Sequence, residues 1–398
     1  MSLQRRRNLI LAVSAAAFAV VVLAGCLPEP EPHTPTAMPD TSGVLVPRRE
    51  VPPYEVRGRS NVGALEIATF ARAGGDHDPD VSPDGTTIVF SSTRHSRRPA
   101  IYMKTIRSTA VTKRTNGPAS FIQPKFAPSG RELACASDES GNWDIWIIGA
   151  AGRSAVNLTD SPEFDEIHPS WHPEAKTPVV VYNRFNRANG TWEIWAQSRR
   201  GGFATMLTTG LFPEWSPAST ASGGKICFQR ARRRGMQWFS IWTIDVKMDA
   251  NGRMQVGLPM EVVSSDRWGA IQPGFSPDGK KLVFATVHRS VTASSRKRIW
   301  QGDDIWCVNL DGTDLQRLTT SPEPDWNPVW AAGANGGPER VYFCSLAGGH
   351  KNVWSLVPAL PDPPGEILPG KVTAADAAKA VIRKNLEDQK KLEAEIEE

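Results

Sequence analysis

The apolar positions of this chain come in short, β-rich runs, each set off by the same polar punctuation. The stretch Gln272-Pro-Gly-Phe-Ser-Pro-Asp-Gly-Lys-Lys-Leu-Val-Phe-Ala-Thr286 shows the unit in full. Pro277 suits a turn position that wants φ near −65°, Gly279 one that wants φ > 0, and Lys281 to Thr286 favours a strand. The unit therefore predicts strand, tight turn, strand. Related stretches stand at Asp78-Pro-Asp-Val-Ser-Pro-Asp-Gly85, Gln123-Pro-Lys-Phe-Ala-Pro-Ser-Gly130, His168-Pro-Ser-Trp-His-Pro173, Phe212-Pro-Glu-Trp-Ser-Pro217 and Asn327-Pro-Val-Trp-Ala331, making six copies. Their first prolines, Pro79, Pro124, Pro169, Pro213, Pro273 and Pro328, are 45, 45, 44, 60 and 55 residues apart. A period of roughly 40–45 residues is what four short strands and their loops occupy in one propeller blade. The expectation is an all-β, six-bladed β-propeller of four-stranded blades over residues 54–357.

A second signature follows each hairpin: Ala100-Ile-Tyr102, Asp144-Ile-Trp146, Glu193-Ile-Trp195, Ser240-Ile-Trp242, Asp304-Ile-Trp306 and Asn352-Val-Trp354. Each reads as a short strand whose aromatic ring covers an adjacent blade, which accounts for most of the 14 Trp. An outer strand ending in Leu-Thr comes next, at Asn157-Leu-Thr159, Met206-Leu-Thr208 and Gln316-Arg-Leu-Thr319. The last repeat lacks one, whereas Leu65-Glu-Ile-Ala-Thr69 stands unclaimed before the first. That segment is expected to close the ring as the outer strand of the last blade, so that no long edge stays unpaired; Ile367-Leu368 competes for the slot.

Taken together, x-Pro-x-Trp/Phe-Ser-Pro-Asp-Gly, a Val/Phe strand, Asp-Ile-Trp/Tyr and Leu-Thr resemble the TolB-type WD40-like β-propeller repeat, from residue 65 to about 357. The third, fourth and sixth copies depart from it, with His-Pro-Glu-Ala, Ser-Pro-Ala-Ser and Ala-Ala-Gly-Ala in place of the Asp-Gly turn, and irregular hairpins are expected there. The resemblance implies a scaffold that interacts with components of the cell envelope. The family's N-terminal α/β domain has no counterpart here, so a role in a transport or division complex does not carry over. Propellers of this type also precede a hydrolase domain in prolyl-peptidase relatives, but no Gly-x-Ser-x-Gly elbow appears in this sequence.

The ends of the chain have other compositions. Arg5, Arg6 and Arg7, an apolar run from Leu9 to Ala24 and then Leu23-Ala24-Gly25-Cys26 make a secretory signal whose end resembles the bacterial lipobox. Residues 1–25 are read as the signal and Cys26 as the lipidated first residue of the mature chain; an uncleaved membrane anchor is the alternative. One acyl chain holds a protein only reversibly and two or three hold it durably. Residues 26–53, rich in Pro, form an extended tether. The chain is thereby placed in the cell envelope facing the periplasm, and Leu27, where an Asp often signals inner-membrane retention, favours the outer membrane. Residues 358–398 are read as a linker and a C-terminal helix, with Thr373 and Asp376 as a capping box and Ile382, Leu386, Leu392 and Ile396 as a thin apolar stripe.

Composition narrows the chemistry. With 398 residues, 40% hydrophobic and 22% charged, the chain supports a large folded unit. A net charge of +4, lower without the signal's arginines, points to no particular partner, and the compartment argues against nucleic acid. Cys135, Cys227, Cys307 and Cys344 fall in expected strands and read as buried thiols, with two disulfides as the alternative. The residues before the repeat prolines, Asp78, Gln123, His168, Phe212, Gln272 and Asn327, are expected to line the channel. His77, His168 and His172 stand near inner strands, but no metal or other cofactor is expected, since one ion needs three or four converging ligands. Loops between second and third strands carry Arg97 and Arg98, Arg184 and Arg187, Arg232, Arg233 and Arg234, and Arg296, Lys297 and Arg298. Loops into the inner strands carry acids, so one face is expected to have an acidic centre and a basic outer ring that orients a charged partner. The reading is a non-enzymatic, membrane-anchored scaffold binding an envelope protein or other envelope component at one face. The alternative is an enzyme or small-ligand binder acting on an acidic envelope glycan in the channel, with His168, Asp78 and Gln272 as the residues to test.

Overall fold

The computed structural model describes residues 62–358, apart from residues 153, 174–177, 203, 209, 211–213, 220–222, 232–238, 250–253, 266–267, 292–297 and 321–322. Cys26, the tether, Ile367-Leu368 and the expected C-terminal helix lie outside the described residues.

Six antiparallel sheets follow one another along the chain, and each inner strand touches the next, the sixth returning to the first. The inner strands are Asp76–Val81, Phe121–Phe126, Phe164–His172, Glu214–Ser219, Gly269–Phe275 and Asp325–Ala331. Blade 1 shows the plan, with Thr87–Ser92, Ala100–Thr105 and Thr112–Lys113 following in order outward. The result is a six-bladed β-propeller, in which the edges left unpaired are short or packed around the channel.

The ring closes as the sequence implied. Val62–Ile67 pairs antiparallel with Asn352–Pro358, Ile67 opposite Trp354, and supplies the outer strand of blade 6. Thr69 then does what the threonine after the outer strand does in other blades: its hydroxyl accepts the Val353 N–H at 2.9 Å. The equivalent bonds are Ile101 N–H to Thr115, Ile145 N–H to Thr159, Ile194 N–H to Thr208 and Ile305 N–H to Thr319, at 2.9–3.0 Å. The outer strand ends after two or three residues, so a hydroxyl replaces the next backbone acceptor of the ladder. Blade 4 departs from the plan. Its outer position is split between Met254–Val256 and Met260–Val263, both paired with the long strand Phe239–Met248.

The aromatic signatures pair within blades as well as between them. Tyr102, Trp195, Trp242, Trp306 and Trp354 each lie directly opposite an aromatic of the second strand, namely Phe90, Tyr182, Phe228, Phe284 and Phe343. In blade 2 the partner of Trp146 is Cys135. The five second-strand rings are among the largest fully buried side chains, and burying each contributes about 2–3 kcal/mol. Wedges of apolar residues join neighbouring sheets: Ile122, Ala134 and Ile147 of blade 2 pack with Val180, Tyr182 and Trp192 of blade 3. Cys135, Cys227, Cys307 and Cys344 sit in this core as free, buried thiols, and burial pushes the Cys307 thiol up to about 12.

A candidate binding site in the central channel

At the middle of each inner strand the chain makes a β-bulge, and the residue before the repeat proline takes a left-handed conformation. The φ values are 50° at Asp78, 55° at Gln123, 53° at His168, 52° at Ser216, 54° at Gln272 and 51° at Asn327. Register breaks at each of these points, for example between His77 and Asp80 and between Ile271 and Gly274. For side chains other than Gly such a conformation costs on the order of 1–2 kcal/mol, so surrounding contacts must hold it.

A circumferential chain of hydrogen bonds does so. Asp78 Oδ2 accepts the Gln123 N–H at 3.3 Å, Gln123 Oε1 the His168 N–H at 2.8 Å and Gln272 Oε1 the Asn327 N–H at 2.9 Å. Asn327 Nδ2 donates back to Asp78 Oδ1 at 2.7 Å and links the last blade to the first. His168 and Ser216 do not continue the chain. There the next strand substitutes: Asn183 Oδ1 accepts the Ser216 N–H and Gln229 Oε1 the Gln272 N–H, both at 2.8 Å.

The structure thus gathers five of the six residues expected in the channel into one girdle, with Ser216 beside them. Phe212 lies outside the described residues, and the girdle position of blade 4 belongs to Ser216, four residues on. Pairing decides this register: Glu214 opposes Arg230 and Trp215 opposes Gln229, as Asp76 opposes Ser92 and His77 opposes Ser91 in blade 1. Ser216-Pro217 resembles the hairpin motif Ser-Pro, which misaligns the repeat when motifs alone are compared. The signal that separates them is the acid two residues before the girdle, as in Asp76-His-Asp-Pro, Glu166-Ile-His-Pro, Glu214-Trp-Ser-Pro and Asp325-Trp-Asn-Pro.

On the hairpin side of the girdle lies a cavity of about 220 Å³ bounded by all six inner strands. Past the girdle residues its wall includes Asp80, Lys125, Ser170, Phe275 and Trp330. Asp80 stands 3.5 Å from Lys125 and accepts the Phe126 N–H at 2.7 Å; burial raises its pKa, with Lys125 opposing. Burial, helped by Lys125, lowers His168 to about 3, so its ring is neutral at physiological pH. Among the described residues no three His, Cys, Asp or Glu side chains converge as a metal would need, and His77 and His172 do not line the cavity.

The acidic loops and several of the expected basic residues meet each other. Asp76 binds Arg94 at 2.7 Å, Glu166 lies 3.0 Å from Arg184 and Glu214 2.5 Å from Arg230. Each guanidinium also sits against the aromatic of its own third strand, at 5.4 Å over Tyr102, 4.3 Å over Trp195 and 4.6 Å over Trp242. Arg184 is therefore not a partner-facing loop residue. It is 8% exposed, because Glu166, Phe164 and Trp195 enclose it within blade 3. Arg187 is half exposed and held by Asp165 at 2.5 Å, while Arg97 and Arg98 are exposed, Arg98 lying 3.5 Å from Asp138. In blades 1, 3 and 4 the two signs of charge are paired within the blade rather than separated into centre and rim. Arg232, Arg233, Arg234, Arg296 and Lys297 lie outside the described residues, and of Arg298 only the backbone is described, at the start of a strand.

Fold and channel define the class: a six-bladed propeller with a polar girdle and a cavity closed by one residue from each blade. Comparison with known proteins adds a likeness to one family. Residues 76–258, just under half of the chain, match the TolB beta propeller domain. The chain is 24% identical over 184 residues to the Tol-Pal system protein TolB of Anaeromyxobacter dehalogenans strain 2CP-C, covering 46% of this chain and 36% of that protein. The chain thus spans just over a third of this relative's length. An uncharacterized peptidase, YuxL, of Bacillus subtilis is 27% identical over 110 residues, covering 26% of this chain and 17% of that protein. The crystal structure of TolB from Acinetobacter baumannii superposes with a TM-score of 0.46 at 16% identity, covering 69% of this chain and 64% of that one.

Proposed function

We propose that this chain is a non-enzymatic scaffold of the cell envelope, tethered to the outer membrane by acylation of Cys26 and residues 27–53, whose propeller binds an envelope protein or other envelope component at one face. The observation that carries this reading is the match of residues 76–258 to the TolB beta propeller domain, which relates the repeat to a protein of the Tol-Pal system. The face from which the loops between second and third strands leave is the one assigned to the partner. Exposed Arg97 and Arg98 supply charge there, and Arg232, Arg233, Arg234, Arg296, Lys297 and Arg298, expected from the sequence between second and third strands, are assigned to the same face. Exposed charge of one sign steers encounter and suppresses wrong partners more than it adds affinity.

Crosslinking in intact cells tests the reading, with photoreactive residues in the loops around Arg97 and Arg233 and, as control, on the hairpin side around Gly130. One envelope protein captured from the loop positions, and lost when Arg232 to Arg234 become Glu, supports it. Capture from the control position only, or a mature chain without an acyl group on Cys26, overturns the corresponding part.

A further inference from the structure

The girdle bonds leave particular polar atoms unused. In Gln123 and Gln272 the side-chain oxygen accepts a backbone N–H, which only oxygen can do, so the orientation of both amides is determined. Their NH₂ groups have no acceptor among the described residues, although Gln123 is only 7% exposed and both line the cavity. Blades 2 and 5 of a six-membered ring face each other across its axis, so these donors approach the cavity from opposite sides. Further polar atoms are also to spare: among the described residues His168 Nδ1, a donor or an acceptor according to its tautomer, is buried without a hydrogen-bond partner, and the acceptor Asn327 Oδ1 takes no hydrogen bond.

We propose that the central cavity binds a neutral, hydroxylated ligand the size of one sugar ring, held from opposite sides by Gln123 and Gln272 and lying against Trp330. Three features select this chemistry. Unused donors and unused acceptors stand side by side, and a hydroxyl is the group that can serve both at one atom. Asp78 and Asp80 outnumber Lys125 among the lining residues, so an added anion is disfavoured. The residues after the girdle are prolines in every blade, Pro79, Pro169, Pro217, Pro273 and Pro328 lining the cavity, so the wall there offers no backbone N–H for an added peptide strand. Trp330 supplies an apolar platform whose indole N–H is already committed to Glu339 at 2.8 Å, which leaves its ring for stacking.

Calorimetric titration of the full chain, purified in detergent, against glucose, galactose, mannose, N-acetylglucosamine, glucuronate and a hexa-alanine peptide tests this. At least one neutral sugar should bind saturably, and better than glucuronate or the peptide. Gln123→Glu and Gln272→Glu keep the oxygen acceptor of the girdle and remove the donor; each should weaken that sugar by about tenfold, the loss of one hydrogen bond, while the variant still unfolds cooperatively, at a lower temperature because the new carboxylate joins Asp78 and Asp80. No saturable neutral sugar, preference for glucuronate or the peptide, or binding unchanged in both variants overturns the proposal. None of these outcomes depends on whether a protein is crosslinked at the opposite face, so the two readings fail separately.

Discussion

Asp78 shows how much can rest on one side chain. Its carboxylate takes the Ser91 hydroxyl at 2.8 Å, the Gln123 N–H and the Asn327 amide, and so joins blades 6, 1 and 2. Asp78→Ala leaves those donors without an acceptor and should lower stability by about 2–3 kcal/mol, read as a drop in the urea midpoint at unchanged slope. Arg184 is a second case. Above about pH 8, where Glu166 is ionised, removing its counter-charge by Arg184→Ala strands a fully buried carboxylate and should cost about 3 kcal/mol, and Glu166→Gln in the same chain should recover most of it. Burial, reinforced by neighbouring Asp144 and opposed by Arg184, pushes Glu166 up to about 8 from an ordinary value of 4.5. The folded chain thus holds this proton more tightly than the unfolded one. The contribution is complete below the ordinary value, declines as pH rises and is gone above about 8. Unfolding midpoints between pH 5 and 8.5 should therefore fall with pH more steeply in the parent than in Glu166→Gln.

Among elements, the hairpin turns were the most legible part of the chain. In Ser82-Pro-Asp-Gly85 and Ser276-Pro-Asp-Gly279 the Ser hydroxyl donates to the Asp and accepts the N–H of Thr87 or Lys281, and Gly85 and Gly279 have φ of 68° and 70°. Local composition determines such turns, so motif and structure agree. What the motif did not reveal is which turns carry weight. A Cβ on Gly85 would meet the Ala332 carbonyl oxygen of blade 6 at 2.5 Å, whereas one on Gly130 would meet only Pro83 at 3.7 Å. Gly130→Ala should cost about 1–2 kcal/mol, the left-handed backbone alone, and Gly85→Ala clearly more, measured by thermal unfolding of the two variants side by side.

At the scale of the whole molecule, stability depends on closure. The segment before blade 1 is held by the ladder of blade 6, by Thr69 and by Lys104 of blade 1, whose ammonium donates to the Ala68 carbonyl at 2.6 Å. A chain that begins at residue 72 loses the outer strand of its last blade and exposes a long edge. It should melt at least about 10 °C lower than the full chain by calorimetry and aggregate on heating. Thr69→Val, which removes one acceptor, should lower the midpoint by about 1 kcal/mol only.

Blade number, turn chemistry, the strand signatures and the closing segment were determined by the sequence itself. Each rests on local periodicity and turn-forming residues repeated six times, and repetition makes a weak local signal unambiguous. Only the tertiary structure decided that Ser216 takes the girdle position of blade 4, because register comes from pairing across strands and not from resemblance along them. It also decided that Arg184 is spent within its blade on Glu166 and Trp195, and that two glutamines from opposite blades keep their N–H groups for the cavity. Such facts depend on which side chains a closed ring brings within hydrogen-bonding distance, and residues 45 or more positions apart in the chain carry no mark of that meeting.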